Sequence, residues 1–240
     1  SCVIFCFRWV TSAVTQKCLS GSREEMASLE EGWKEATEGL DSAVCDTWFA
    51  KIQEAYSEEK RTYHNLDSLC DKLNCYYDIK DSLKDPQAVL LALYFQNFEY
   101  DPKALDGKNK NLEHFNAFAD EADIPVDADL REEACLLLEI ATTHSTDAHK
   151  EGGTFGGDDA HYFLDLDMAV LGSSPDTYSD YRERIRGEYS FLSEPMYTAL
   201  RLKVLQNFVQ IPNIFATKEF RDKYEEQARQ NIQAEVELLS

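Results

Sequence analysis

The stretch from Asp85 to Asp101, DPQAVLLALYFQNFEYD, leaves this chain the least freedom. Val89, Leu90, Leu91, Leu93, Tyr94 and Phe95 are apolar around the whole circumference of a helix, so no face remains for solvent. About eleven such residues are too few to cross a bilayer, which takes roughly 20. The stretch therefore predicts a central core helix. Asp85 can cap it, and Pro86 at its first position loses only an N–H that had no partner there. Gln96 and Asn97 follow side by side, and two neighbouring amides at the end of a buried helix must find partners or mark a site.

The rest of the chain supplies helices to surround that core. From Met26 apolar residues recur at three and four, as Leu29, Trp33, Ala36 and Leu40, then Val44, Trp48, Ile52 and Tyr56, with a break at Gly39, Asp41 and Ser42. Leu66, Leu69, Leu73 and Tyr76 mark another helix just after Tyr63-His64-Asn65. Residues 102–111 are polar and predict a loop. Leu112, Phe115, Phe118 and Ala122 form the next face. Asp129 with Glu132 has the form of a capping box for the helix carrying Leu130, Leu136, Leu137, Leu138, Ile140 and Ala141. Further helices are expected from about Asp158 to Leu171, stopped by Gly172, and from Ser174-Pro175 through Tyr178, Tyr181, Ile185 and Tyr189. Two more carry Ala199, Leu200, Val204, Leu205 and Phe208, and then Phe220, Tyr224, Ala228, Ile232 and Val236. No stretch alternates for long enough to be a strand. The expected fold is all-α, a single helical domain of about eight to ten helices over 26–240.

Composition narrows the partners. Leu outnumbers Val and Ile together, 25 against 10 and 9, which favours helix. The formal net charge of −21 argues against a nucleic-acid backbone or an anionic membrane as the main partner. Residues 1–25 hold Arg8, Lys17 and Arg23 against Glu24 and Glu25, a balance of +1, so the remaining 215 residues carry −22. This segment reads as a disordered or non-native extension, and its apolar run from Cys2 to Phe7 is shorter than a signal-peptide core. The seven cysteines form no CxxC pair and read as free thiols in a reducing, cytoplasmic setting. The glycines at 152, 153, 156 and 157 lack the order of a phosphate-binding loop. His149 and His161 beside them are expected in solvent, and His114 lies on a helix with no evident partner.

Several motifs occur together in order: Arg61-Thr62-Tyr63-His64-Asn65-Leu66, Tyr94-Phe95-Gln96-Asn97, and Leu164-Asp165-Leu166-Asp167 running on to Leu171-Gly172. Tyr178-x-x-Tyr181-x-x-x-Ile185-Arg186-x-Glu188-Tyr189 follows. Arg201-x-x-Val204-Leu205, Ile214-Phe215-x-Thr217-x-x-Phe220 and Glu226-x-Ala228-Arg229-x-Asn231-x-x-x-Glu235 complete the set. Over about 29–239 the chain resembles the predicted metal-dependent HD-superfamily phosphohydrolases of the small bacterial-type branch. That resemblance implies a divalent-metal site in which His64 is the upstream ligand and Asp167, or less readily Asp165, the downstream one. The His-Asp pair that names the family falls on Gln96 and Asn97. An amide oxygen replaces imidazole poorly at a transition metal, and Asn removes a charge that helps hold the ion and acidify its water. Thr62 and Ser68 also stand where histidines are expected, and the family's Asn-Glu pair is not clean around Asn109 and Asn111.

The expectation is a kept scaffold with its metal chemistry lost or severely weakened: no cofactor, or Mg, Mn, Fe or Zn held weakly. A phosphorylated small molecule or nucleotide is the expected ligand. Tyr63, Asn65, His144, Arg186, Arg201 and Arg229 are candidate contacts, although His64 also suits a structural role and the arginines also suit pairing with Glu188, Glu235 and similar acids. Two alternatives stay open: a hydrolase using a rearranged ion near His64, Asp165, Asp167 and His144, and a helical interaction module with a closed pocket.

Overall fold

The computed structural model describes residues 28–104, 107–143 and 145–240, with the side chains of 107–109 outside that description. The extension at 1–25 and the candidate contact His144 therefore lie outside the described residues. The fold is all-α: helices make up 71% of it, and no strand occurs among the described residues. The helices are α1 (28–36), α2 (Ser42–Tyr56), α3 (Leu66–Ile79), α4 (Pro86–Phe95), α5 (Gly107–Glu121), α6 (Asp129–Ile140) and α7 (Asp147–Lys150). They continue as α8 (Asp159–Met168), α9 (Pro175–Glu188), α10 (Glu194–Gln210), α11 (Lys218–Phe220) and α12 (Glu226–Leu239).

Helix α4 is the axis that its sequence predicts. Every side chain from Ala88 to Phe95 is buried, and α3, α5, α6 and α8 pack around it. Asp85 accepts from the Ala88 N–H at 2.9 Å, which fixes the helix start, and Pro86 occupies the first turn. Trp33, Trp48, Phe115 and Phe118 close on Tyr94 and Phe95 with tilted or edge-on rings. Gly39 takes φ +86° ahead of the Asp41 cap of α2, the break expected from Gly39, Asp41 and Ser42.

The second half is organised by α12, which packs on α10 and on a 3₁₀ turn, Ala169–Gly172, that follows α8. Gly172 is more than a helix stop. A β-carbon there would sit 2.6 Å from Tyr224 Cβ and 2.7 Å from its carbonyl oxygen, so only glycine lets the two segments meet. Tyr224 lies in a π-helical stretch, Arg221–Glu225, between α11 and α12. The Glu225 carboxylate accepts from the Ile214 and Phe215 N–H groups at 3.0 and 3.1 Å, holding the preceding segment against this helix.

Several local expectations are corrected. Helix α5 begins at Gly107, inside the stretch expected to be a loop over 102–111. The cap of α6 is Ala128 without a side-chain bond, and Asp129 and Glu132 lie in the first turn, where the helix dipole favours acids. Leu136 is exposed. On α10 the inward residues are Tyr197, Arg201 and Leu205, while Leu200 and Val204 face outward, because Arg201 turns inward to its partner on α12. His149 is buried, contrary to its expected place in solvent. Its Nδ1 accepts from the Thr146 N–H at 2.9 Å, and burial lowers its pKa to about 4. His161 is part-buried and caps α8 through the Asp158 N–H at 3.1 Å. Cys45, Cys75 and Cys135 are free thiols, and no helix among the described residues is long and apolar enough to cross a membrane.

Candidate functional site

Two polar clusters flank the exit of α4. The first forms around His64, just before α3. The Asn65 side chain caps that helix by accepting from the Ser68 N–H at 3.2 Å, so Asn65 positions the loop rather than reaching outward. Glu188, at the end of α9 and fully buried at its side chain, takes the other end of the loop. One of its oxygens accepts from the Tyr63 and His64 N–H groups at 2.8 and 2.7 Å. The other meets His64 Nδ1 at 2.8 Å and the Tyr100 hydroxyl at 2.8 Å. Burial pushes the Glu188 carboxyl up, but the hydrogen bonds and charge of His64, with the backbone donors and Tyr100, outweigh it and hold the group below the usual range. A carboxylate at Nδ1 places an imidazole proton there. The His64 ring is stacked on Tyr100 at 4.1 Å and meets the edge of Tyr63, whose phenol burial pushes well above its ordinary value.

The second cluster joins α3, α4 and α8. Lys72 extends from α3 so that its ammonium lies 2.6 Å from Asp167 Oδ1 and 3.3 Å from Gln96 Oε1. Its side chain is only 8% exposed, which makes this a sheltered ion pair rather than a surface one. Gln96 is anchored in turn by Asn111, whose amide donates to the Gln96 carbonyl at 2.6 Å and whose oxygen accepts from Glu99 N–H at 2.6 Å. At Asn97 the backbone carbonyl accepts from Arg61 at 2.5 Å.

Asp165 does not share this cluster. Two residues apart on a helix lie on nearly opposite faces, and the structure uses that separation. Asp165 is fully buried and accepts from the Ala216 and Thr217 N–H groups at 2.7 and 2.8 Å and from the Thr217 hydroxyl at 2.7 Å. Burial raises its pKa to about 7 against the opposing pull of those three donors. Thr62 and Ser68 are likewise spent locally, their hydroxyls donating to the Arg184 and Asn65 carbonyls at 2.5 and 3.0 Å.

The three arginines considered as ligand contacts are engaged within the fold. Arg201 makes a bidentate pair with Glu235 at 2.9 and 2.9 Å, and Tyr178 donates to the same carboxylate at 2.5 Å. Arg186 reaches the Tyr189 carbonyl at 3.0 Å and Glu194 at 3.0 Å. Arg229 reaches the Ile211 and Pro212 carbonyls and Glu225, at 3.1, 2.9 and 2.7 Å. A groove of about 210 Å³ lined by Phe208, Val209, Ile214, Arg229, Ile232 and Gln233 lies between α10 and α12, and none of the groups around His64 or Asp167 lines it.

Among the described residues, no group of three or more His, Cys, Asp or Glu side chains is placed to hold a metal ion. The cation beside Asp167 and Gln96 is the chain's own lysine. Lys72, Glu188 and Tyr100 are the members that sequence reasoning did not single out for this region. Comparison with family profiles, with curated proteins and with solved structures yields no match.

Proposed function

We propose that the chain is a catalytically silent HD-type helical scaffold in which the Lys72 ammonium stands where the related hydrolases hold a divalent ion. The observation that carries this reading is the lysine seated between Asp167 and Gln96, at 2.6 and 3.3 Å. Its charge logic is self-consistent. In the HD pattern two carboxylates balance a dication; here Asn97 removes one of them, and a monocation balances the other. An ammonium cannot acidify a water or polarise a phosphoryl oxygen as a divalent metal does.

The ligand class that suits this reading is a phosphorylated small molecule, met by Lys72. The arginines add nothing to it, since they serve carboxylates and backbone carbonyls. A second reading, an interaction module with a closed pocket, is favoured by the same observation, because the chain's own side chains fill the space between Asp167 and Gln96. The alternative of a rearranged Mg or Mn site loses Asp165, whose oxygens already serve 216 and 217.

Elemental analysis of protein purified without chelator tests the proposal. The unaltered chain and a Gln96→His/Asn97→Asp variant are both expected to carry little metal, because Lys72 still competes for the space. Adding Lys72→Ser to that pair should give clear uptake. Near-stoichiometric metal in the unaltered protein would overturn the reading and would call for a screen of nucleotides and phosphomonoesters, with His64→Ala as the control. Inorganic phosphate and AMP should each raise the melting temperature, and Lys72→Met should remove that rise. Ligand-independent melting in the unaltered protein would leave only the closed-pocket reading.

A further inference from the structure

The outward face of α10 is unlike the rest of this surface. Four of the ten large apolar side chains that the described surface exposes lie on this one helix: Met196, Leu200, Val204 and Val209. Met196, Leu200 and Val204 recur every four residues, so they form one continuous ridge along the helix. A helix of 17 residues extends about 25 Å, long enough for such a ridge to serve as a contact. Scattered exposed leucines are ordinary, whereas a contiguous apolar row marks an interaction surface.

Charge selects the occupant. From Pro195 to Thr217 the sequence contains no Asp or Glu, 23 residues in a chain that holds 45 acids among 240. Within that run Arg201 is turned inward to Glu235, and Glu194, which opens α10 just before it, is paired with Arg186 at 3.0 Å, so Lys203 is the only outward charge on α10 after its first residue. Two copies at −21 each repel through nearly every other surface. This is the face on which they can approach. The row itself is self-complementary: ridges at four-residue spacing interdigitate with the same ridges of a second helix. A two-fold axis through Leu200 brings the Met196 end of one helix to the Val204 end of the other. Ala199, exposed beside the ridge, is small enough to let the two backbones close.

We infer that α10 is a self-association surface through which two copies of this chain form a dimer. The contact is small against the roughly 800 Å² per partner of a standard interface, so the dimer is weak and concentration-dependent. Salt gives it a signature. Screening removes repulsion between two acidic bodies and leaves the apolar contact intact, so association strengthens as salt rises. An acidic partner drawn to Lys203 would behave in the opposite way.

Sedimentation equilibrium on the full chain, with reductant to exclude disulfide-linked species, tests this at 50 and 500 mM salt. The expected result is a monomer–dimer equilibrium whose association constant rises several-fold with salt. Leu200→Glu and Val204→Glu should each reduce association at least tenfold, while Val126→Glu, at a more exposed apolar site elsewhere, should leave it unchanged. All three positions are exposed, and an unchanged melting temperature verifies that the variants fold. A monomer under every condition, a dimer that weakens with salt, or a dimer indifferent to Leu200→Glu would each overturn the inference.

Discussion

Asp165 and Asp167 sit two residues apart on α8 and do opposite work. Asp165 faces the C-terminal half, where it holds the backbone at 216 and 217. Asp167 faces α3 and α4, where it meets Lys72. The C-terminal side is a lock in which each buried charge is saturated: Glu235 takes both arms of Arg201 and the Tyr178 hydroxyl, and Asp165 takes three donors. The α3–α4 side is a seam, with a lysine in the role of a cation and a histidine held by one carboxylate. One side is sealed by its hydrogen bonds, and the other has a part-exposed Asp167 at 18%. The contrast teaches that carboxylates of the same type, two residues apart, are sorted to a backbone partner or to a lysine by which helix face they occupy.

The largest effect should come from breaking the lock. Glu235 and Arg201 are 1% and 9% exposed at their side chains, so truncating either leaves its partner buried and uncompensated. Glu235→Ala or Arg201→Ala is expected to cost about 3–5 kcal/mol in urea denaturation. A loss below about 1 kcal/mol would show that water reaches this pair and that the lock is not sealed.

Asp165 comes next, and it sharpens the comparison through pH. Asp165→Ala strands two backbone N–H groups and a hydroxyl, a loss of about 3 kcal/mol. The folded carboxyl keeps its proton up to about 7, whereas an ordinary one releases it near 3.8. Its contribution is therefore full below about pH 4, declines as pH rises through that window and is lost above it. Glu188 in the seam is held below its usual range, so its contribution runs the other way, present above the unfolded value and lost as pH falls through the folded one. Urea midpoints measured from pH 4 to 8 should lose the falling component in Asp165→Asn and keep it in Glu188→Gln. Identical profiles for the two variants would erase the distinction.

Lys72→Met should cost less, about 1 kcal/mol, since Asp167 is part-exposed at 18% and within reach of water. The measurement that matters is not only the midpoint. If the lysine is the seam's cation, the variant should gain affinity for monovalent or divalent cations, read as a melting temperature that rises with Mg or Mn. A cation-independent melt would mean that the ammonium is a packing element alone.

The legibility of the sequence divides along the same line. The α4 core was readable because Asp85, Pro86 and six apolar residues state a buried helix locally, and Ser174-Pro175 likewise announces α9 through a cap that accepts from Thr177 N–H at 3.3 Å. The site was only half readable. His64, Gln96 and Asp167 stand in recognisable motifs, but Lys72 follows Asp71 in what reads as an ordinary charged helix surface. Its partner lies 95 residues away, and no local pattern encodes that. Glu188 stands beside arginines that suggested a pairing, yet it serves His64, 124 residues distant. His149 looked solvated because glycines follow it, whereas its ring caps the four-residue helix that it belongs to. Local chemistry states where helices begin; only packing states which charges are drawn inside.

The smallest single effect, that of Tyr197→Phe, tests whether the lock is saturated. Two tyrosines, Tyr178 and Tyr197, are buried in this half and lie near Arg201 and Glu235. The Tyr178 hydroxyl donates to Glu235 at 2.5 Å, while the Tyr197 hydroxyl is the one buried side-chain polar atom among the described residues with no partner. Removing a hydroxyl bonded to a charged group should cost about 1.5–3 kcal/mol, but removing an unsatisfied one relieves a desolvation penalty. Tyr178→Phe should therefore destabilise, and Tyr197→Phe should be neutral or stabilising by up to about 1 kcal/mol. The two substitutions delete the same atom type from the same neighbourhood, so their difference isolates the hydrogen bond from the packing. A Tyr197→Phe loss comparable to that of Tyr178→Phe would reveal a water completing the cluster and would place a polar cavity inside the half described here as sealed.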